Sequence, residues 1–561
     1  MVRDLFERIA MPIRGLHQAA YLLAGLTLAA QLLALLRDRT FAHMFGAGEV
    51  LDLYYAAFRI PDLVFVFVAS LVSAYVIIPR IAGMDREATR RILSESATFL
   101  LGVGGAICVG FAVFMPELLA WLYPAFTTSP LHSEFVLLAR LLLVQPILLG
   151  LSSLFASVTQ VHRRFALFAI SPVLYNLGII VGAIAFYPRF GLPGIGVGVL
   201  LGSIAYLAVN IPVLVGAGVM PSFSIPRFAT MIPIIRDSVP RSLALGMGSI
   251  TALVLTALAS RIGTGSISVF SFASNLQAVP LALIGASYAV AAFPALSEAS
   301  AENKKEEFTR ILSSGARHII LWSVVSLGLI VVLRAHLVRV ILGTGAFDWD
   351  ATRLTAALLA ILAVGIAAQG LVLLFSRALY AVRDSWSPLA YQIAGGVVSV
   401  CLALFFLSLD PSAGFPVWFA EALRVGDVAG TSVLLLALAG TLGQILIALL
   451  AILSLARVAP GLASRLLRPL FHGTLATLVG GAVAYATLAA EGSVAELTTL
   501  FAVFTQGFIA GMVGLTASAL TLFLLKNEEF YIAVGALGRL ISRKDQSAEV
   551  LAPSAEESPQ P

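Results

Sequence analysis

Apolar runs long enough to cross a bilayer as a helix, about 20 residues each, recur along all 561 residues of the chain. The composition agrees, with 59% hydrophobic and 12% charged residues and a mean hydropathy of +0.98, whereas soluble domains carry about 25% charged residues. Strands of a membrane barrel are only about 10 residues long and alternate in polarity. The runs therefore predict an all-α polytopic membrane protein.

We predict about fourteen transmembrane helices from these runs. The predicted spans are 18–36, 51–79, 93–115, 133–160, 166–186, 193–216, 240–260, 266–297, 313–333, 352–381, 388–408, 429–456, 467–489 and 499–525.

The distribution of basic residues predicts the orientation of these spans. Segments on the side of the N-terminus hold 25 Lys and Arg, whereas segments on the other side hold 7. Cytoplasmic loops carry the excess of positive charge in membrane proteins. We therefore expect both termini in the cytoplasm, and we read the basic residues as topology signals rather than as a nucleic-acid surface.

A weak internal repeat divides the chain. Segments 155–163 and 375–383 each place an arginine eight residues after a phenylalanine, and Pro61 and Pro280 lie 219 residues apart. Parallel repeats of this kind are a transporter architecture with the site between the halves, although chance similarity between apolar segments is the alternative. The predicted divisions are a cytoplasmic amphipathic segment (1–17), an N-lobe of six spans (18–216), a cytoplasmic inter-lobe linker (217–239), a C-lobe of six spans (240–456), two accessory spans (457–525) and a partly disordered cytoplasmic tail (526–561).

Charged and amide side chains interrupt the apolar spans, mostly within segment 36–80. A charge at the centre of a bilayer costs about 2.5–3.5 kcal/mol on insertion scales and normally faces a bundle interior or a wet cavity. We predict a cavity for an anionic head group; helix-end snorkelling and interhelical salt bridges are the alternative. The candidate substrate-binding residues are Arg37, Asp52, Arg59, Asp38, Arg140, Asn275 and Gln31.

Four residues are candidates for a gate or hinge. Gly46 and Gly48 form the predicted turn between the first two spans, and Pro61 and Pro280 remove a hydrogen bond inside spans two and eight. Kinks at corresponding places in two halves suit a gate, although tolerated packing kinks explain them equally well. The sequence contains no nucleotide-binding loop and no spacing typical of metal ligands. We therefore expect a transporter without a cofactor rather than an enzyme.

Three stretches carry a resemblance to a known family. The first is segment 37–63, with the run Ala57-Phe58-Arg59-Ile60-Pro61-Asp62-Leu63; the others are segments 272–297 and 375–388. Their order and spacing resemble the MurJ/MviN family of lipid II flippases, within the multidrug/oligosaccharidyl-lipid/polysaccharide exporter superfamily. The resemblance extends over roughly residues 15–525, as the span count also fits.

The resemblance implies a flippase of the bacterial plasma membrane. It would move lipid II, a peptidoglycan precursor, to the outer leaflet by alternating access, driven by membrane potential or by a gradient of H⁺ or Na⁺. The N-lobe would supply a cationic cavity, with Arg37 and Asp52 at positions important in the family, and the last two helices would line a groove for the lipid tail. The implied partners are a lipid-linked anionic saccharide, membrane lipids and cell-wall synthesis proteins, with the protein itself a monomer.

The chain departs from the family pattern at three cavity positions. Gln31, the pair Phe65 and Val66, and Asn275 stand where the family typically has arginine, and Arg59 or Arg140 is a candidate substitute. The lower positive charge leaves three alternatives open. These are a polysaccharide-unit flippase, a drug/ion antiporter of the same superfamily, and a non-transporting membrane scaffold.

Overall fold

The computed structural model describes residues 16–69, 74–162, 164–492 and 499–542, and every regular element in these ranges is helical. The predicted segment 1–17 and the end of the tail beyond residue 542 lie almost wholly outside the described residues. Helices of the first half are α1 (Leu16–Phe45), α2 (Glu49–Ala69), α3 (Ala74–Ile81), α4 (Arg86–Phe99), α5 (Gly105–Val113), α6 (Met115–Leu122), α7 (His132–Leu142), α8 (Gln145–Val161), α9 (Phe165–Val181), α10 (Tyr187–Phe190), α11 (Leu192–Ala208) and α12 (Ile211–Ala217). Helices of the second half are α13 (Phe228–Ala259), α14 (Ser266–Pro280), α15 (Ser287–Ala301), α16 (Lys305–Ile341), α17 (Trp349–Ala381), α18 (Trp386–Leu407), α19 (Phe415–Ala422), α20 (Ser432–Leu455), α21 (Leu462–Gly492), α22 (Leu500–Leu524) and α23 (Glu528–Ser542). Short π-helical turns at Leu100–Gly104, Gly182–Phe186 and Leu281–Ala286, and a 3₁₀ turn at Pro124–Phe126, complete the set.

Twelve helical segments in the described part of the chain are long and apolar enough to cross a membrane. They run from Arg86–Val113 to Leu500–Leu524 and correspond one to one with predicted spans three to fourteen. The first two predicted spans correspond to α1 and α2, which carry the intramembrane charges. The prediction of an all-helical polytopic membrane protein is confirmed, while the total of fourteen spans stays a prediction.

The N-lobe is held together by close helix pairs. Helix α1 packs on α9, α2 on α7 and α8, and α11 on α7 and α9. Glycines permit the closest of these approaches: a Cβ atom on Gly198 would lie 2.3 Å from the Cα of Gly182, and one on Gly178 would lie 2.5 Å from the Cα of Gly202. Small residues let helix backbones touch where lipid supplies no hydrophobic driving force between helices.

Helix α17 lies at the centre of the C-lobe. It is the most buried of the candidate spans, at 78%, and packs against α14, α15, α16 and α20, while α13 packs on α18. Helices α21 and α22 pack on each other and on the outer side of α16. This arrangement keeps them apart from the N-lobe core.

The two lobes share a hydrophobic core at one end only. We call the end that holds the α1–α2 turn (residues 46–48) the turn end, and the opposite end, with residues 218–227, the linker end. At the turn end one continuous core includes Phe41 and Leu53 of the N-lobe together with Phe272 and Leu358 of the C-lobe. At the linker end each lobe has a separate core. The lobes therefore share one core at the turn end, and α13 also packs along α2 toward the linker end.

The chain between the lobes lies along α4. Side chains of Ser94, Glu95 and Thr98 accept hydrogen bonds from three backbone amides of this extended stretch, and Arg227 also forms an ion pair with Glu95 at 3.8 Å. Helix α13 begins at Phe228, so the predicted linker 217–239 consists of an extended stretch followed by the first turns of α13. The first helical turns of α13 pack into the N-lobe core at the linker end.

Candidate functional site at the lobe interface

An N-lobe carboxylate binds the N-terminus of a C-lobe helix. Asp52, 1% exposed in the first turn of α2, accepts hydrogen bonds from the backbone amides of Gly265 (2.6 Å) and Ser268 (2.7 Å) and from the Ser268 hydroxyl. Gly265 is the N-cap of α14 and has no side chain to cap those amides. Asp52 therefore supplies from the other lobe both the missing cap and a negative charge at the positive end of the helix.

An N-lobe arginine binds the C-terminus of another C-lobe helix. The Nη1 atom of Arg39 donates to the carbonyl oxygens of Val340 (2.6 Å) and Ile341 (3.2 Å), at the C-terminus of α16. A cation is favourable there, since the last carbonyls of a helix lack partners and carry the negative end of its dipole. The charges of Arg39 and Asp52 are thus opposite in sign to the partial charges of the helix ends that they contact.

The α1–α2 turn closes against a C-lobe turn. Gly46 has φ +62°, and a Cβ there would lie 2.4 Å from the carbonyl oxygen of Ala346. The Ala346 amide donates to the carbonyl oxygen of His43 at 3.0 Å. The turn-end clamp, as we call these contacts, joins N-lobe residues Arg39, His43, Gly46 and Asp52 to C-lobe residues Gly265, Ser268, Val340, Ile341 and Ala346.

A buried polar network lies deeper between the lobes. Arg37 contacts Asp38 through two guanidinium nitrogens, at 3.0 and 2.8 Å, and donates to Asn176 of α9 at 3.0 Å. The second oxygen of Asp38 accepts a hydrogen bond of 2.9 Å from Asn275 of α14. The network thus balances one cation with one anion and connects both lobes. Such pairing is what a charge inside a membrane requires.

Arg59 has a different environment from Arg37. It extends from α2 to a cavity of about 310 Å³ whose other lining residues belong to the C-lobe. Its Nε atom is buried and has no hydrogen-bond partner among the described residues. Asp62, one turn further along α2, is the carboxylate on which its charge acts. Arg59 is therefore the cation available to a ligand at this interface.

Two predicted site residues lie apart from these contacts. Arg140 is exposed and donates to the carbonyl oxygen of Ala112 at 2.9 Å. Gln31 is half-buried on α1, and its side chain makes no hydrogen bond to another described residue. The structure therefore brings together Arg37, Asp38 and Asn275, places Asp52 in the turn-end clamp, and places Arg59 at the cavity.

The predicted gate residues lie at distinct places. Gly46 and Gly48 form the turn, and the Gly48 carbonyl oxygen lies 3.3 Å from the Ser268 hydroxyl oxygen, whose proton is donated to Asp52. Pro61 lies inside α2, whereas Pro280 ends α14 and is followed by the π-helical turn Leu281–Ala286. Proline and π-helical turns are sites where helices bend.

Sequence reasoning missed Asn176 as an Arg37 partner and Ser268 as an Asp52 partner. Asn176 could have been noticed as an amide inside an apolar span. Ser268 lies 216 residues from Asp52 and resembles many other span serines, so no local pattern marks it.

Two lobes of membrane-spanning helices that enclose a polar interface are the architecture of a transporter rather than of an enzyme. The family model described as "Lipid II flippase MurJ" matches residues 41–487, so the chain belongs to the MurJ family. The chain is 25% identical over 426 residues to "Lipid II flippase MurJ" of Burkholderia cenocepacia, covering 71% of this chain and 80% of that protein. It is 24% identical over 416 residues to "Probable lipid II flippase MurJ" of Vibrio cholerae, covering 70% and 78%.

Solved structures confirm the fold. The structure titled "Lipid II flippase MurJ, inward closed conformation" superposes with a TM-score of 0.72 at 20% identity, covering 90% of this chain and 100% of that one. A multidrug resistance MATE family transporter of the MOP superfamily, in an inward-facing conformation, superposes with a TM-score of 0.61 at 17% identity, covering 77% and 96%. The fold is therefore that of MurJ and MATE proteins.

Proposed function

We propose that this protein moves lipid II from the inner to the outer leaflet of the bacterial plasma membrane. The observation that carries the proposal is Arg59, a cation with a free buried Nε atom at a cavity between the lobes, in a chain of the MurJ family. An arginine in a partly desolvated site suits a pyrophosphate because its planar guanidinium binds phosphate oxygens in pairs. The lipid-linked substrate would place its pyrophosphate there.

The distribution of contacts between the lobes supports alternating access as the mechanism. The turn end is held by hydrogen bonds to helix termini, while the lobes have separate cores at the linker end. Separating the lobes at the turn end would break the polar contacts of the turn-end clamp and divide the shared core, and separating them at the linker end would release the first turns of α13 from the N-lobe core. A transporter that rocks between two openings requires both movements.

The orientation and the driving force belong to the same proposal. The excess of Lys and Arg at the linker end supports a cytoplasmic linker end with both termini inside. The turn-end clamp then closes the outer side. Since lipid II is anionic, membrane potential or a gradient of H⁺ or Na⁺ would drive the cycle, and cell-wall synthesis proteins would take up the product.

Complementation of a strain depleted of its lipid II flippase tests the proposal. The parent chain should restore growth, and Arg59→Ala at equal expression should not, because the pyrophosphate loses its cation. Arg59→Lys should restore growth partly, since a lysine keeps the charge but loses the paired geometry. Arg140→Ala is the matched control, because Arg140 is exposed away from the cavity.

Three outcomes would contradict the proposal in different ways. Failure of the well-expressed parent would argue against lipid II as substrate and favour another lipid-linked saccharide or a drug. Full rescue by Arg59→Ala would show that Arg59 is not needed to bind the substrate. Equal loss of rescue with Arg140→Ala would mean that any missing arginine, rather than the cavity cation, explains the result.

A further inference from the structure

The cavity beside Arg59 is lined by uncharged hydrogen-bonding groups of the C-lobe. It lies between helices α13, α14, α17, α18 and α20, and Arg59 is the charged residue among its described lining residues. The polar lining includes Gln277, Gln369, Gln392, Gln444, Thr251 and Ser274. Four amides in one cavity of a membrane-spanning bundle are costly to leave without partners, which indicates that a ligand or water satisfies them.

Several of these groups are free to bind. The Gln277 Nε2 atom donates to the carbonyl of Leu362 at 2.6 Å, so its Oε1 remains an acceptor. The side chains of Gln369, Gln392 and Gln444 have no hydrogen-bond partner among the described residues. The cavity thus offers both amide donors and amide acceptors.

The hydroxyl groups add acceptors to this set. Thr251 and Ser274 donate to the carbonyls of Met247 and Phe270 on their own helices, at 2.9 and 2.8 Å. Their lone pairs therefore remain available as acceptors for a ligand hydroxyl or N–H.

Glycines provide the space of the cavity. A Cβ atom on Gly248 would meet no atom within 4 Å, although Gly248 lines the cavity. Gly440 is similarly open, with its nearest atom 3.5 Å from an added Cβ. A larger side chain at Gly248 would therefore fill the cavity without displacing its walls.

The chemistry of this lining selects a neutral ligand rich in amides and hydroxyls. A phosphate or carboxylate would find one cation at the edge and no other charge among the described lining residues. The volume of about 310 Å³ is at the lower limit of ligand pockets, which span roughly 300–1,000 Å³. That volume suits one N-acetylated sugar unit, and the other units of a larger saccharide would lie outside the cavity.

We infer that this C-lobe cavity binds an uncharged N-acetylated sugar of the lipid-linked substrate, next to the anionic group held by Arg59. This inference rests on the proposed function and assigns one lobe to each part of the head group. The N-lobe contributes charge through Arg59, and the C-lobe contributes neutral amide and hydroxyl recognition. Such a division also explains how a chain with fewer cavity arginines than is typical of its family retains contacts to a saccharide.

Calorimetric titration of the purified full chain in nanodiscs tests the inference with N,N′-diacetylchitobiose as probe at millimolar concentration. The parent should bind the probe, and Gly248→Leu and Gln369→Leu should each weaken binding by about tenfold or more, the effect of losing the space or one good hydrogen bond. Gly110→Leu is the matched control, because a Cβ on Gly110 also meets nothing within 4 Å but Gly110 lies outside the cavity. Cellobiose, which lacks the acetamido groups, should bind more weakly than the probe.

Inorganic pyrophosphate distinguishes the two halves of the site. Arg59→Ala should weaken pyrophosphate binding, and Gln369→Leu should leave it unchanged. No detectable chitobiose binding by the parent, binding unaffected by Gly248→Leu, or displacement of the sugar by Na⁺ at constant ionic strength would each overturn the inference. Chitobiose binding that Gly248→Leu abolishes, in a chain that fails to complement, would uphold the cavity assignment and reject only lipid II as the transported molecule.

Discussion

The carboxylate of Asp52 accepts two hydrogen bonds from Ser268, one from its backbone amide and one from its hydroxyl, across the boundary between the lobes. Together with the Gly265 amide, these bonds satisfy both carboxylate oxygens. The contact makes Asp52 a component of the turn-end clamp in this conformation. A role for Asp52 in binding substrate would then belong to a different stage of the cycle, in which the clamp is open.

Asp52→Asn should open the turn end. The substituted amide has one acceptor oxygen and directs N–H groups toward donors, so charge-assisted bonds of about 1.5–3 kcal/mol each are lost. A change of this size shifts a two-state equilibrium by tenfold or more. The measurement is the labelling rate of Ser271→Cys by a water-soluble maleimide, in a chain that also carries Cys108→Ala and Cys401→Ser.

Ser271 is 6% exposed in the closed arrangement and shares a face of α14 with Ser268 and Asn275, which contact the N-lobe. Its labelling therefore reports separation of the lobes. Glu117→Gln in α6 is the control, because Glu117 is exposed and forms no hydrogen bond to another described residue. Equal labelling rates for Asp52→Asn and the parent would show that the clamp does not depend on this carboxylate.

Gly46→Ala should destabilise the same closed end. At φ +62° a non-glycine residue costs about 1–2 kcal/mol, and the new Cβ would also lie 2.4 Å from the Ala346 carbonyl oxygen. Labelling of Ser271→Cys should increase by about tenfold. Gly48→Ala is the matched control, since its nearest contact would be an ordinary 3.5 Å; an equal effect of the two substitutions would argue against the turn geometry as the cause.

Gly198→Leu should lower the thermal stability of the N-lobe. A Cβ at this position would already lie 2.3 Å from the Cα of Gly182, and overpacking typically costs about 1–3 kcal/mol. The midpoint of thermal unfolding in detergent measures the effect. Gly110→Leu, placed in open space, should leave the midpoint unchanged. A Gly198→Leu protein as stable as the parent would mean that α9 and α11 can separate without loss.

An ion pair at the turn end of the C-lobe predicts a pH dependence. Hydrogen bonds from the Arg353 guanidinium hold the pKa of Asp427 at about 2, below its ordinary value. A carboxyl whose pKa is depressed in the folded state contributes stability above its unfolded pKa of about 3.9 and loses it as the pH falls toward 2. Asp427→Asn should therefore lower the unfolding midpoint slightly at pH 7 and progressively less below pH 4.

The effect of Asp427→Asn should be small because the Asp427 side chain is exposed, and high salt should reduce it further. Asp410→Asn in the same loop region is the control, because Asp410 forms a local turn contact with Ser412. The predicted sign would be wrong if the difference in unfolding midpoint between the parent and Asp427→Asn grew as the pH falls. The ion pair would then not be the source of the difference.

Much of the architecture could be predicted from the sequence because hydrophobicity in a membrane is a local property. Predicted spans three to fourteen each match one apolar helix of the structure. The turn at Gly46 and the adjacent charged pair Arg37 and Asp38 could also be predicted from the sequence. The sequence made both Arg59 and Arg140 candidate binding residues, and only the structure places Arg140 apart from the cavity.

The tertiary structure decided what each polar residue does. Asp52 and Arg59 share one helix, yet one caps a helix of the other lobe and the other lines a cavity. The partners of Asp52 lie more than 200 residues away along the chain. Only the packing of the two lobes brings such groups together. The sequence alone determined that the chain folds as helices in a membrane, because each apolar segment must satisfy its own backbone there. Which side chains form the turn-end clamp and which remain free for a ligand depended on contacts between helices, which no single segment encodes.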